Sequence, residues 1–258
     1  HYYYINDSGT GGICGWSGSG SSMSYVENHA SVANLSGIKD STAVGGMIGR
    51  LENQENNTFT MENCLNTGKI DGPSNTGGFV GRWKYNGGTI KNSSNTGKIG
   101  TESSSLVTGG IIGSIYDLTD YAGITVTGCT NQGEIKGQYA AGLVGRPAVC
   151  NTSNQVIFSD CINTGKVTAT TAGAGIMTGS SSEFTRTSFY QCRNYGSGTK
   201  FYGIVNYNNG LVRMQDCFDV SGAGLLQKTS DSDKARIVNS YYYTKEIEAG
   251  MTKDCLLY

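Results

Sequence analysis

The residues best suited to chemistry are eight Cys, two His and a scatter of carboxylates. Cysteines in close C-x-x-C pairs would hold zinc, and a thiolate beside a histidine would be a nucleophile. No such pair occurs, and Cys129, Cys161, Cys192 and Cys217 instead follow one another at wide, nearly regular intervals. Cys64 falls on the same progression, and Ser93, Ser240 and His29 fill the remaining slots. A slot that accepts Cys and Ser reads as a small buried side chain, so these thiols are expected reduced and packed. Strands stacked about 4.8 Å apart would bring neighbouring Cα atoms within disulfide range, but stacked side chains point the same way. Cys14, Cys150 and Cys255 lie off this column and are the better candidates for a bridge or an exposed thiol. Neither a metal nor a cofactor is expected.

The histidines narrow the options further. With only His1 and His29, no H-E-x-x-H motif can be written, and a Ser-His-Asp triad would have to use His29. His29 reads as a packed or partly exposed residue of an end coil. Glycoside hydrolysis would need two carboxylates about 5–10 Å apart across the scissile bond. Asp160, Asp216 and Asp219 come nearest to a cluster. Asp160 and Asp216 share the slot before Cys, but the coil of Gln191 separates them, and Asp216 and Asp219 occupy slots that Asn fills elsewhere. Asp for Asn at a turn is the plainer reading.

All these residues are placed by an internal repeat. The unit "GGICG" from Gly11 returns as "GGMIG" from Gly45, "GGFVG" from Gly77, "GGIIG" from Gly109 and "AGLVG" from Ala141. Looser copies start at Ala174, Tyr202 and Ala223, so the step is nearly constant at first and shortens toward the last copies. A second stretch runs in phase: "NCLNTGKI" from Asn63, "NSSNTGKI" from Asn92, "DCINTGKV" from Asp160. Three residues before its Cys slot stand Val26, Met61, Ile90, Val126, Phe158, Phe189, Met214 and Ile237. Two after it come Asn66, Asn95, Asn131, Asn163, Asn194 and Asp219, and two further on Gly68, Gly97, Gly133, Gly165 and Gly196. Short apolar segments broken by Gly and Asn are strand–turn–strand signals, and Gly at this density excludes long helices. A step of about 32 residues fits one coil of a parallel β-helix, in which equivalent residues stack into ladders. The Asn column fits the bends, and the Gly columns mark positive φ or positions without room for a Cβ.

These motifs resemble a known class. "GGFVG" and "AGLVG" resemble the GLUG motif, and "NCxNTGxI" accompanies it in long bacterial surface proteins, including adhesin-like proteins and the non-catalytic region of immunoglobulin A peptidases. The likeness extends over about residues 11–243. It implies a right-handed parallel β-helix displayed at the cell surface or secreted, and it brings no catalytic residues. The last copies depart from it, with Asn206 and Gln227 where the closing Gly is due.

Binding is the chemistry left. Trp16 and Trp83 directly follow Gly motifs, and Tyr85, Tyr116 and Tyr121 lie in the same variable segments. Exposed rings on such loops would suit a glycan or a surface protein. Arg50, Arg82 and Arg146 recur after the Gly motif as outward positions. A net charge of −1 with 15% charged residues gives no field to draw in nucleic acid, and no apolar run is long enough to insert in a membrane. The sequence thus predicts an all-β, right-handed parallel β-helix of about eight coils over residues 1–243, with a tail or cap at 244–258. It predicts a non-catalytic rod, the alternatives being a carbohydrate-active β-helix enzyme or the spacer of a secreted peptidase. The repeat frame puts His1 in the middle of a coil, so a preceding segment or another chain is expected to cover the first coil.

Overall fold

The computed structural model describes residues 9–18, 20–34, 42–53, 58–85, 87–101, 105–118, 122–148, 155–179, 186–206, 210–227, 235–243 and 256–257. It is a parallel β-solenoid with no helix among the described residues. Most coils contribute a short strand to each of four sheets, Val32–Ala33 and Ile70–Asp71 form a further two-stranded pair, and every coil-to-coil pairing is parallel. Sheet A runs from Gly9–Gly11 through Ala43–Gly45, Asn75–Gly77 and Val107–Gly109 to Gly198–Tyr202. Sheet B runs from Cys14–Ser17 through Ile48–Asn53 and Val80–Tyr85 to Val205–Asn206. Sheet C extends from Ser22–Ser24 to Ala235–Val238, and sheet D from Glu27–Asn28 to Tyr241–Tyr242.

The step is set by register. Gly45, Gly77, Gly109 and Ala141 are direct partners, so the length of a coil through the middle of the rod is the spacing of the Gly motif itself. Sheets A and B have seven strands and sheet C eight, so the expected eight coils are complete only in part of the cross-section. Of the C-terminal tail only Leu256–Leu257 is described, and it pairs antiparallel with Tyr241–Tyr242.

Apolar columns fill two stacks. The larger lies between sheets B, C and D and holds Met47, Phe79, Ile111, Leu143, Trp83 and the Phe158–Phe189 pair. Those two rings stack at 5.1 Å, nearly parallel. The smaller contains Val44 and the column Val32, Ile70, Ile99, Ile135 and Val167.

The residue before the Cys slot takes the left-handed conformation in most coils: Asn63, Asn92, Gly128, Asp160, Gln191, Asp216 and Asn239 all have positive φ. Asn and Asp bear this region at least cost among residues with a Cβ, and Gly bears it freely. That is the physical reason Asp160 and Asp216 interchange with Asn. Tyr25 occupies the slot in the first coil at φ 57°.

Candidate functional site

Two polar ladders run through the solenoid beside its apolar stacks. In the first, Nδ2 of each Asn donates to Oδ1 of its counterpart one coil on. The chain runs Asn28 to Asn66, Asn95, Asn131, Asn163 and Asn194, with N···O distances of 2.7–2.8 Å. The second hydrogen of each Nδ2 goes to the carbonyl two residues on, as Asn95 to Gly97 at 2.9 Å and Asn131 to Gly133 at 3.0 Å. The ladder ends on Asp219, which accepts from Asn194 at 2.7 Å and from the Ser221 hydroxyl at 2.8 Å. A carboxylate has no hydrogens to give, so an acceptor closes the row without leaving a stranded donor. Burial raises the Asp219 pKa, opposed by the hydrogen bonds from Asn194 and Ser221.

The Asn ladder explains why the two repeated motifs travel together. The second Gly of each Gly motif packs directly against it. A Cβ on Gly110 would come 2.6 Å from Asn131 Oδ1 and 2.1 Å from the Gly142 carbonyl. Among the described glycines here the constraint is space rather than positive φ.

The second ladder is the Cys column, and all five of its thiols are buried and free. Each thiol lies within reach of the carbonyl two residues back, as Cys161 to Ser159 at 3.3 Å and Cys129 to Thr127 at 3.4 Å, and Cys129, Cys161 and Cys217 also reach a carbonyl of the preceding coil, as Cys161 to Val126 at 3.2 Å. Ser93 and Ser240 make the same bond to Lys91 and Val238, both at 2.9 Å. From Cys64 onward the slot therefore selects a short donor, which small size alone did not reveal. Burial pushes the Cys64, Cys129 and Cys192 thiols up. The neighbouring Cys192 side chain lowers Cys217 instead, against the opposing effect of burial. Among the described residues no group of three or more His, Cys, Asp or Glu is placed to hold a metal ion.

Thiol-reactive labelling checks this arrangement. Cys129, Cys161 and Cys192 are expected to label only after denaturation, while half-buried Cys14 labels in the native protein. Fast native labelling of the three would refute the packing. Cys161→Ser, which keeps a donor, should stay within about 1.5 kcal/mol of the parent. Phe158→Ala should lose about 3–5 kcal/mol.

The sequence-predicted aromatic positions separate. Trp16 is 63% exposed, but Trp83 is fully buried and meets Phe59 edge-on at 5.6 Å. Trp83 is therefore a core residue and not part of an exposed ledge. The two Trp differ by one ladder position: Trp16 pairs with Arg50, and Trp83 with Leu51 and Ile115. One step along a strand reverses the face a side chain occupies. Tyr85 and Tyr116 are half-buried at the ends of their strands, Tyr85 under Lys84 at 4.5 Å. Tyr121, Cys150 and Cys255 lie outside the described residues.

Two further placements differ from expectation. His29 is not in the Cys column: Glu27–Asn28 pairs with Leu65–Asn66, which puts Val26 in the Cys slot and Met23 beside Met61. The Asn28–Asn66 bond sets this register, and His29 is exposed, bonded to Glu27 and Thr67 at 2.8 Å each. Arg50 and Arg82 are not an outward basic stripe either. Both are largely buried and share the carboxylate of Glu52, with Arg82 at 3.7 Å, while Arg146 lies 4.9 Å over the Tyr139 ring.

The exposed chemistry gathers instead on the outer faces of the last coils. On sheet D, Arg193, Phe218 and Tyr241 are successive partners, and Tyr195 meets Phe218 edge-on at 6.5 Å. Around the corner on sheet C stand Arg186, Arg213 and Arg236, all exposed. The signal for Arg213 and Arg236 was in the sequence: each directly precedes the apolar column residue, Met214 and Ile237.

No known protein family matches the chain. A solved structure from Bacteroides ovatus, described as a candidate immunoglobulin A1 protease, shares the fold. It aligns over 85% of this chain and 67% of its own, at TM-score 0.53 and 15% identity. That identity supports likeness of fold alone. Halomucin of Haloquadratum walsbyi is 30% identical over 128 residues, or 47% of this chain. The chain spans about 1% of Halomucin's length.

Proposed function

We propose that this solenoid is a non-catalytic rod of a secreted or cell-surface bacterial protein, of the GLUG-repeat kind, that holds a ligand-binding face away from its attachment. The observation that carries this reading is the use of the column chemistry. The thiols, the amides and Asp219 point inward and bond from coil to coil, which leaves them to support the stack. The similar stretch of Halomucin is one small part of a very long chain, as expected of a spacer or display segment. The described strands of the first coil pair on one side only, and Ile13, Trp16 and Tyr25 are exposed there.

Glycan binding through the aromatic face of the last coils fits this role, because Tyr195, Phe218 and Tyr241 offer ring faces beside Arg193. A glycan array combined with a reducing-end release assay on the bound sugars tests the proposal. Binding without release supports it. Turnover of any bound polysaccharide would overturn the non-catalytic reading, and an array with no binder would remove the adhesin role and leave the spacer.

A further inference from the structure

The outer face of sheet C changes character along the rod. Its early coils carry Thr60, Glu62, Thr89, Lys91, Thr125 and Thr127, and the one acid there is paired, Glu62 with Lys91 at 2.5 Å. From Arg186–Tyr190 onward the face bears Arg186, Arg213 and Arg236 and, among the described residues, no acid. Arg213 and Arg236 are direct partners on adjacent strands, and Arg186 lies diagonally one coil away, beside Leu211. No ion pair is made by any of the three among the described residues. They line a shallow groove of about 280 Å³ with Tyr190, Ser188 and the 44% exposed Leu211.

Like charges directly opposite on neighbouring strands destabilise a sheet. Folding alone gives no reason for this placement, since Ser188 fills the same column one coil earlier. The chain's net charge is −1, so the cluster is not a by-product of a basic composition either. Guanidinium groups bind sulfate and carboxylate through paired N–H donors, and several on a flat face engage a polymer that repeats such groups. Rungs about 4.8 Å apart present the guanidiniums as a short row rather than as a deep cleft for one small anion. The apolar side of Leu211 and the Tyr190 ring supply surface for the C–H faces of sugar rings.

We propose that Arg186, Arg213 and Arg236 form a binding site for an acidic polysaccharide bearing sulfate or carboxylate groups. This rests on the ligand-binding rod described above and names the class of its ligand.

The test is binding of heparin, polygalacturonate and neutral dextran to the full chain, by calorimetry at low and raised salt. The comparison is with Arg213→Ser/Arg236→Ser, a pair that copies Ser188 and so keeps the fold. A control, Lys98→Ser/Lys166→Ser, removes the same charge at the corner between sheets D and A. Expected is binding of heparin, polygalacturonate or both, weakened by salt, at least tenfold weaker in the arginine pair and unchanged in the lysine pair. Heparin against polygalacturonate separates sulfate from carboxylate recognition. Equal loss in both variants would reduce the effect to net charge and overturn the site. Tighter binding of single-stranded DNA than of either acidic polysaccharide would also overturn it. Dextran binding that survives the arginine substitutions would sink this inference while leaving the glycan-binding rod intact.

Discussion

Trp83→Ala is expected to lower the stability of the solenoid by about 3–5 kcal/mol. The ring is fully buried in the larger apolar stack and meets Phe59 edge-on, so truncation removes both its area and a directional aromatic contact. Its column neighbours Leu51 and Ile115 belong to strands fixed by their own ladders and cannot close the gap. Trp16→Ala should by contrast stay within about 0.5 kcal/mol, because that ring is mostly in solvent. Urea denaturation followed by circular dichroism measures both. A Trp83→Ala protein as stable as the parent would show that the ring is not in the core.

The second large effect is expected in the amide ladder, where Asn131→Ala should cost about 3 kcal/mol or more. Asn131 accepts from Asn95 and donates to Asn163 and to the Gly133 carbonyl, so its removal strands one buried donor and two buried acceptors. Asn131→Asp should also be harmful, since a carboxylate still accepts from Asn95 but faces two further acceptors with nothing to give. The reverse exchange at the terminus, Asp219→Asn, should be nearly neutral at neutral pH. There an amide oxygen still accepts from Asn194, and the new N–H₂ can meet the Ser221 hydroxyl. The same chemical change is thus costly inside the ladder and mild at its end. If Asn131→Ala costs no more than Asp219→Asn, the ladder contributes no stability.

Asp219 also sets a pH dependence with a definite sign. Its pKa is raised in the folded state, chiefly by burial, so the folded chain holds that proton more tightly than the unfolded chain does. Its contribution is therefore most favourable below the unfolded value and falls as pH rises through the window up to the raised folded value. Asp219→Asn should remove that fall. Denaturation midpoints compared from acidic to neutral pH would show it as a difference in slope between the two proteins, and parallel profiles would contradict it.

Much of this molecule was legible in one dimension because a solenoid turns sequence period into contact. The constant step, the apolar columns, the Asn column and the buried Cys column all follow from stacking like on like, so spacing alone placed Asn66 by Asn95 and Cys161 by Cys192. What lies between coils' corners was decided by the folded chain. Trp83 and Trp16 follow similar motifs yet differ by one ladder position, which sends one ring inward and leaves the other in solvent. His29 shares a spacing with the Cys slot, but the Asn28–Asn66 hydrogen bond shifts the first coil so that Val26 takes it. Arg50 and Arg82 repeat like surface residues, yet both converge on Glu52. Arg186, Arg213 and Arg236 meet because sheet C returns the chain, a full coil later each time, to the strand beside the one it left. Period fixes which residues stack. Which face each residue occupies, and what meets it across the coil, depends on single-residue offsets and hydrogen bonds between coils that only the tertiary structure closes.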